Sequence, residues 1–253
     1  MRTSTCIRSV LSGLGWLALG TAGAPLVAAA QEDGGIMQEI TVTAQLREEL
    51  LQDVPLAVSA FTSDQLDTLQ VDQALDLGRL VPNLIAHNNT GLGTANSYSL
   101  RGLNNTESIA TFDPPVGSYV DDIYVARQNA NNFTLFDVDR IEVLRGPQGT
   151  LFGRNTTGGA VRVLLKKPAE ELGGYAELGI GEFDRYVMRG SVDIPVSDAV
   201  LTKFSAFYVD DNGFVDNITT GETLNGEENI GLRGAVLWKI ADGLTWDLAV
   251  DYA

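Results

Sequence analysis

The chain has 253 residues, with 17 Lys and Arg against 33 Asp and Glu and a formal net charge of −16. So acidic a balance excludes the clustered cationic surface that nucleic-acid binding requires. One cysteine and one histidine exclude a disulfide framework, a cysteine metal site and a His-pair metal triad.

The first thirty residues read as an export signal. Arg2 and Arg8 give a positive start, Val10 to Leu19 a short apolar core, and Ala28-Ala29-Ala30 a small-residue cleavage site before Gln31. The apolar run is too short, and too broken by Gly and Ser, to span a bilayer as a helix. Cys6 lies inside this signal without a lipoprotein lead-in, so the mature chain is expected to carry no thiol.

Gln31 to Gln38 is polar and glycine-containing, which predicts a flexible segment. Glu39-Ile40-Thr41-Val42-Thr43-Ala44 follows as an island of strand propensity, bounded by the charged Arg47-Glu48-Glu49. Such an island cannot form a sheet alone. It can add to the edge of another protein's sheet, or serve as an edge strand of its own domain.

From Asp53 to Pro168 the pattern is mixed. Val54 to Phe61 predicts a strand, with Pro55 confined to its start. Thr62 and Gln65 form a capping box for a short helix through Leu69. A second helix places Ala74, Leu75, Leu77 and Leu80 on its apolar side and stops at Pro82. Short strands are expected near Leu84 to Ala86 and at Tyr98-Ser99-Leu100-Arg101-Gly102. A hairpin from Val116–Val120 and Ile123–Val125 would turn at Asp121-Asp122. The strand Arg140 to Arg145 then runs into Gly-Pro and a loop with Gly at 146, 149, 153, 158 and 159. Glycine at that density forces tight turns and close backbone approach. The sum is a small α+β domain.

After Lys167 the period becomes two. Tyr186 to Ile194, Ile230 to Trp238 and Leu244 to Tyr252 each set apolar residues on one face against polar ones on the other. Five strands are predicted, near 173–182, 184–194, 200–210, 229–239 and 244–253. Alternation permits an outer-membrane barrel wall or a soluble β-sandwich. The connections after the second and fourth strands are short, and the one from Asp211 to Glu228 is long and polar. That asymmetry is the one bacterial barrels show between periplasmic turns and outer loops.

No catalytic constellation emerges. His87 has no G-x-S-x-G nucleophile elbow to accompany it. The glycine runs 149–153 and 153–159 lack the G-K-[ST] ending of a phosphate loop. Asp210-Asp211 and Glu227-Glu228 read as solvated loop rather than a calcium site. Neither enzyme activity, cofactor nor metal is expected.

Four stretches occur in a recognisable order: EITVTA (39–44), SLRG (99–102), VDDIYVAR (120–127) and DRIEVLRGPQGTLFGRNTTGGAV (139–161). Together they resemble the TonB-dependent outer-membrane receptors of siderophore-receptor type. The resemblance implies an α+β plug domain followed by the first strands of an antiparallel transmembrane β-barrel, truncated and not closed. It divides the chain into a signal peptide (1–30), a flexible segment with a TonB box (31–52), the plug (53–168) and about five barrel strands (169–253). Barrels of this kind have 22 strands, and an open sheet edge is not tolerated in lipid; the chain is therefore expected to be an N-terminal fragment. Implied function is energy-coupled uptake of a scarce nutrient across the Gram-negative outer membrane, a ferric siderophore by base rate. A soluble periplasmic fragment that binds a ligand or partner without transport is the alternative. A signalling receptor would need a folded domain before the box, for which Gln31 to Gln38 is too short.

The same resemblance implies the partners and the sites. TonB would pair with Glu39, Ile40, Thr41, Val42, Thr43 and Ala44, outer-membrane lipid would surround the strands, and a small metal chelate would be the ligand. Arg101, Glu142 and Arg145 would form a plug–barrel charge network, the arginines pairing with the plug glutamate and with wall carboxylates. His87, Asn88, Asn89, Asn104, Asn105, Arg127, Gln128 and Asn129, all in predicted loops, would contact the ligand. The family commonly has Asp-Gly where this chain has Asp121-Asp122.

Overall fold

The structure, a computed structural model, describes residues 5–9, 40–43, 47, 49–89, 95–105, 111–128 and 135–252. In chain order the N-terminal part holds β1 (Thr5–Ser9), β2 (Thr41–Val42), β3 (Glu49–Leu50), β4 (Ala57–Thr62), α1 (Ser63–Thr68), β5 (Leu84–Asn88), β6 (Asn96–Leu100), β7 (Val116–Val120), β8 (Ile123–Val125), β9 (Val138–Arg145), α2 (Gly149–Phe152) and β10 (Gly159–Leu165). Five of these strands form one sheet in the order β4-β9-β10-β7-β8, with β10 and β7 parallel and the other pairs antiparallel.

Side chains alternate across a strand, and β9 and β10 use both faces. Ile141, Val143, Val161 and Val163 join Leu77, Leu100 and Val116 in one core cluster. Leu144 and Ala160 point the other way, into a second cluster with Val42, Val54, Ala60 and Tyr119. Glu142 and Arg162 therefore belong to the second face by parity. β10 was not anticipated as a strand. Its run Gly159-Ala160-Val161 is buried on both sides, so no polar alternation marks it.

The first predicted helix is observed, with the Thr62 N–H donating to Gln65 Oε1 at 3.1 Å. The second is a 3-10 helix, Ala74–Arg79, rather than an α-helix. Its start is tied down by Asp76 Oδ2, which accepts from the N–H groups of Asp72 and Gln73 at 3.1 Å each. The strand expected through Gly102 stops at Leu100, because Arg101 and Gly102 turn with φ of 54° and 82°.

The second sheet is wholly antiparallel. It contains β11 (Gly173–Gly181), β12 (Arg185–Ser197), β13 (Val200–Asp211), β16 (Glu227–Ala241) and β17 (Leu244–Tyr252), in the order β1-β11-β12-β13-β16-β17. All five predicted strands are present within a few residues of their expected ends. The long connection also carries a small hairpin, β14 (Val215–Asp216) with β15 (Thr223–Leu224), which its polar composition did not announce. One face of the sheet exposes Met188, Val192, Phe204, Leu232, Val236 and Leu248. The other turns Lys203, Ser205, Phe207 and Arg233 inward, where they are buried. The described part of this sheet is open, ending at β1 and β17.

Candidate functional site

Glu142 sits between Ile141 and Val143 in the central strand β9, and its side chain is fully buried. Arg162 lies directly opposite it on β10. The guanidinium Nη1 meets Glu142 Oε2 at 2.6 Å, and Arg140 Nε meets Glu142 Oε1 at 2.9 Å. Removing both charges from water costs several kcal/mol per ion unless further hydrogen bonds complete the site.

The N-terminal segment supplies those bonds. Thr43 N–H donates to Glu142 Oε1 at 2.8 Å. Arg162 Nη1 donates to the Thr43 carbonyl at 2.8 Å and to Thr43 Oγ1 at 2.9 Å. Val42 is fully buried among Val54, Ala60, Tyr119, Leu144 and Ala160. The Ile40 carbonyl accepts from the Leu51 N–H at 2.9 Å, and Thr41–Val42 pairs with Glu49–Leu50. Residues 40–43 are thus docked on their own domain, capping a buried ion pair. Of the two roles open to this island, the intramolecular strand is the one seen in the structure; Glu39 and Ala44 lie outside the described residues.

The expected charge network is rearranged. Glu142 pairs with Arg140 and Arg162, not with Arg101 or Arg145. Arg101 is exposed in the turn after β6, its guanidinium over Gly146. Arg145 ends β9 opposite Ala57 and Gly159, and, three residues from Glu142, it falls on the other face of the strand. Arg162 escaped the sequence reading because only the β9–β10 register brings it across from Glu142.

Ion pairs also join this domain to the second sheet. In three of them the domain supplies the carboxylate and the sheet the cation, while Lys167 meets Asp247 of β17 at 3.0 Å with the signs reversed. Asp72 meets Arg189 at 2.8 Å, Asp121 meets Arg233 at 2.6 Å and Asp137 meets Lys203 at 3.2 Å. Ser205 Oγ donates to Asp137 Oδ2, and Gln73 Nε2 donates to Glu227 Oε1 at 3.2 Å. Burial raises the Asp137 pKa above the usual carboxylate range, with Ser205 and Lys203 opposing the shift. A signal for these contacts was present: lone basic residues on the polar side of otherwise regular alternating strands.

The candidate ligand residues divide into two groups, and His87 and Asn88, expected in a loop, lie instead in β5, paired with Ser97 and Asn96. Asn89 and Gln128 are buried and bonded to each other, Asn89 Nδ2 donating to Gln128 Oε1 at 2.8 Å. Gln128 Nε2 and Ser97 Oγ both donate to the Asn105 carbonyl, at 3.0 and 2.6 Å. This network knits three loops together. Asn88, Asn104 and Arg127 are exposed, and His87 and Asn105 are half-buried. Asn129 lies outside the described residues.

Residues 50–160 match the TonB-dependent Receptor Plug Domain family. The chain is 29% identical over 213 residues to the pesticin receptor of Yersinia pestis, covering 83% of this chain and 31% of that protein. It is 22% identical over 204 residues to the vitamin B12 transporter BtuB of Vibrio vulnificus (strain YJ016), covering 80% and 33%. The crystal structure of the ferric yersiniabactin uptake receptor FyuA from Yersinia pestis superposes with a TM-score of 0.70 at 25% identity, covering 78% of this chain and 31% of that one. The chain therefore spans about a third of the length of these relatives.

Proposed function

For a chain that carries a TonB-dependent receptor plug domain beside antiparallel barrel-type strands, we propose a part in energy-coupled uptake of a scarce nutrient across the outer membrane. One observation carries the reading: residues 40–43 are docked on the buried Glu142–Arg162 pair, beneath a plug that is itself ion-paired to the wall. A strand held this way keeps its backbone groups engaged until it is pulled or released. Strand addition by a periplasmic partner, TonB, then has to compete with Thr43's bonds to Glu142 and Arg162. The signal read at residues 1–30 would export the chain, and the β1 pairing would belong to the uncleaved form.

The cargo class follows the relatives, whose names speak of vitamin B12 and of ferric yersiniabactin. We take a ferric siderophore as the first candidate. The apolar outer face, with Met188, Phe204 and Leu248 all half-exposed or more, supports a lipid setting and tells against the soluble alternative. The relatives reported above are receptors and transporters rather than enzymes, and the reading here is the same.

The test is uptake by cells producing the receptor, using a panel of radiolabelled ferric chelates and cobalamin. Deleting residues 39–44 should abolish accumulation while leaving surface binding of the same ligand intact. Accumulation that survives the deletion would overturn the reading.

A further inference from the structure

The turn Asp121-Asp122 has an aspartate where a primed two-residue hairpin most favours glycine. Both residues hold positive φ, 45° and 68°, a region that glycine enters freely and aspartate at some cost. The two side chains reach different elements. Asp122 Oδ1 accepts from Arg162 Nη2 at 2.5 Å. Asp121 Oδ2 accepts from Arg233 Nη2 of β16 at 2.6 Å, and its Oδ1 accepts from the Leu165 N–H at 2.8 Å. Arg162 in turn holds Thr43, and Arg233 holds Asp251 of β17 at 2.7 Å. An unbroken series of charged hydrogen bonds thus runs from the docked strand to the wall through two adjacent residues.

We propose that Asp122 is a positioning residue for strand docking, and that the Asp121-Asp122 turn couples docking of residues 40–43 to the seating of the plug against the wall. This rests on the uptake reading and names the residues through which the wall reaches the docked strand. Arg162 divides its two terminal nitrogens: Nη1 serves Glu142 and Thr43, and Nη2 serves Asp122. Anchoring Nη2 fixes the rotation of the guanidinium plane, and so fixes where Nη1 meets Thr43. A shift of the wall at Arg233 displaces Asp121, and the shared turn passes the displacement to Asp122. Glycine at 122 would keep the hairpin and lose the anchor.

The mature chain is expected to lack a thiol, so one introduced cysteine reports docking cleanly. In a Cys6→Ser background, Val42→Cys buries its sulfur while the strand is docked, and maleimide labelling in outer-membrane preparations measures its release. Asp122 is 62% exposed, so a solvent-screened contact is being removed; Asp122→Gly should raise the labelling rate about threefold. Asp122→Asn, which tolerates the same φ, should do likewise. Arg233→Gln should also raise the rate, and adding it to Asp122→Gly should give little more, because both act on one linkage. Labelling at the parent rate in both Asp122 variants, or rate increases that multiply in the double variant, would overturn the coupling. Glu142→Gln separates this from the wider reading. If it releases the strand and the Asp122 variants do not, only the coupling falls. If it also leaves labelling unchanged, docking on the Glu142–Arg162 pair is not what holds the strand.

Discussion

Asp137 and Lys203 meet 3.2 Å apart across the boundary between plug and wall, with side chains 0% and 5% exposed. Lys203 also reaches Asp193 at 3.4 Å, and Asp193 Oδ1 accepts from the Ala169 N–H at 3.0 Å in the segment joining the two parts. One cation therefore serves two carboxylates. Replacing it takes the paired cation from both, leaving Asp137 with Ser205 and Asp193 with the Ala169 N–H, whereas replacing Asp137 leaves Lys203 with Asp193. Lys203→Met should lower stability by about 3–5 kcal/mol, the usual cost of breaking a buried pair. Asp137→Asn should cost much less, and the double variant should recover part of the loss. Urea unfolding in detergent, followed by circular dichroism, gives the comparison.

The same carboxylate predicts a pH dependence. Burial raises the Asp137 pKa in the folded protein, against the pull of Ser205 and Lys203. The folded state then binds the proton more tightly than the unfolded state, whose aspartates titrate near about 3.9. Its contribution to stability is full below that value and is lost as pH rises through the folded pKa. Asp137→Asn should flatten this limb of the stability–pH curve. A curve of unchanged slope in the variant would remove Asp137 as its source.

Glycine density in the 146–159 loop does not say which glycines matter. Gly159 has φ of 151°, and a Cβ there would collide with the Leu144 carbonyl and the Leu100 side chain. Gly149 opens α2 with no atom within 4 Å of such a Cβ. Gly159→Ala should therefore destabilise the plug by about 2–4 kcal/mol through overpacking and strain. Gly149→Ala should be neutral or stabilise by about 0.5–1 kcal/mol. Thermal melts of the two variants, side by side, decide whether the loop's glycines are distinct.

These cases show what was legible in the sequence. The strands of the second sheet were, because Leu244, Trp246, Leu248, Val250 and Tyr252 alternate with Thr245, Asp247 and Asp251. The first helix was, because Thr62 and Gln65 lie at cap spacing. β10 was not: a strand buried on both faces carries no alternation. Nor was the Glu142–Arg162 pair, since 20 residues and a loop separate its members and only sheet register joins them. The wall cations were visible as anomalies, but their partners depend on how the plug is seated.

The outward face offers a depth-dependent test. Leu232 lies near the middle of β16, half-exposed beside Met188, Phe204 and Val236 on the same face. In a bilayer, Leu232→Arg should cost about 2–4 kcal/mol. Thr245→Arg, at the polar-face end of β17, should cost little. Folding titrations into lipid vesicles measure both. Equal costs would mean that the apolar face does not meet lipid.

The loop residues separate binding from scaffolding. Asn89 and Gln128 are buried and bonded to each other, and Gln128 also donates to the Asn105 carbonyl. Truncating either leaves a buried amide or carbonyl without its partner, at about 1–3 kcal/mol. Asn89→Ala should therefore loosen all three loops, raising protease sensitivity there, and weaken ligand binding only through that loosening. Asn88, at the end of β5, and Asn104 and Arg127, in the neighbouring loops, are exposed. Arg127→Ala should weaken binding of an anionic ferric chelate about tenfold, as expected for one lost charged hydrogen bond, and Asn88→Ala should leave protease sensitivity unchanged. Dissociation constants and limited proteolysis, measured on the same four alanine variants, test the division. If Asn89→Ala alone reduced affinity while Asn88, Asn104 and Arg127 could be truncated freely, the ligand would have to contact the protein elsewhere, and these loops would serve only to hold the plug's shape.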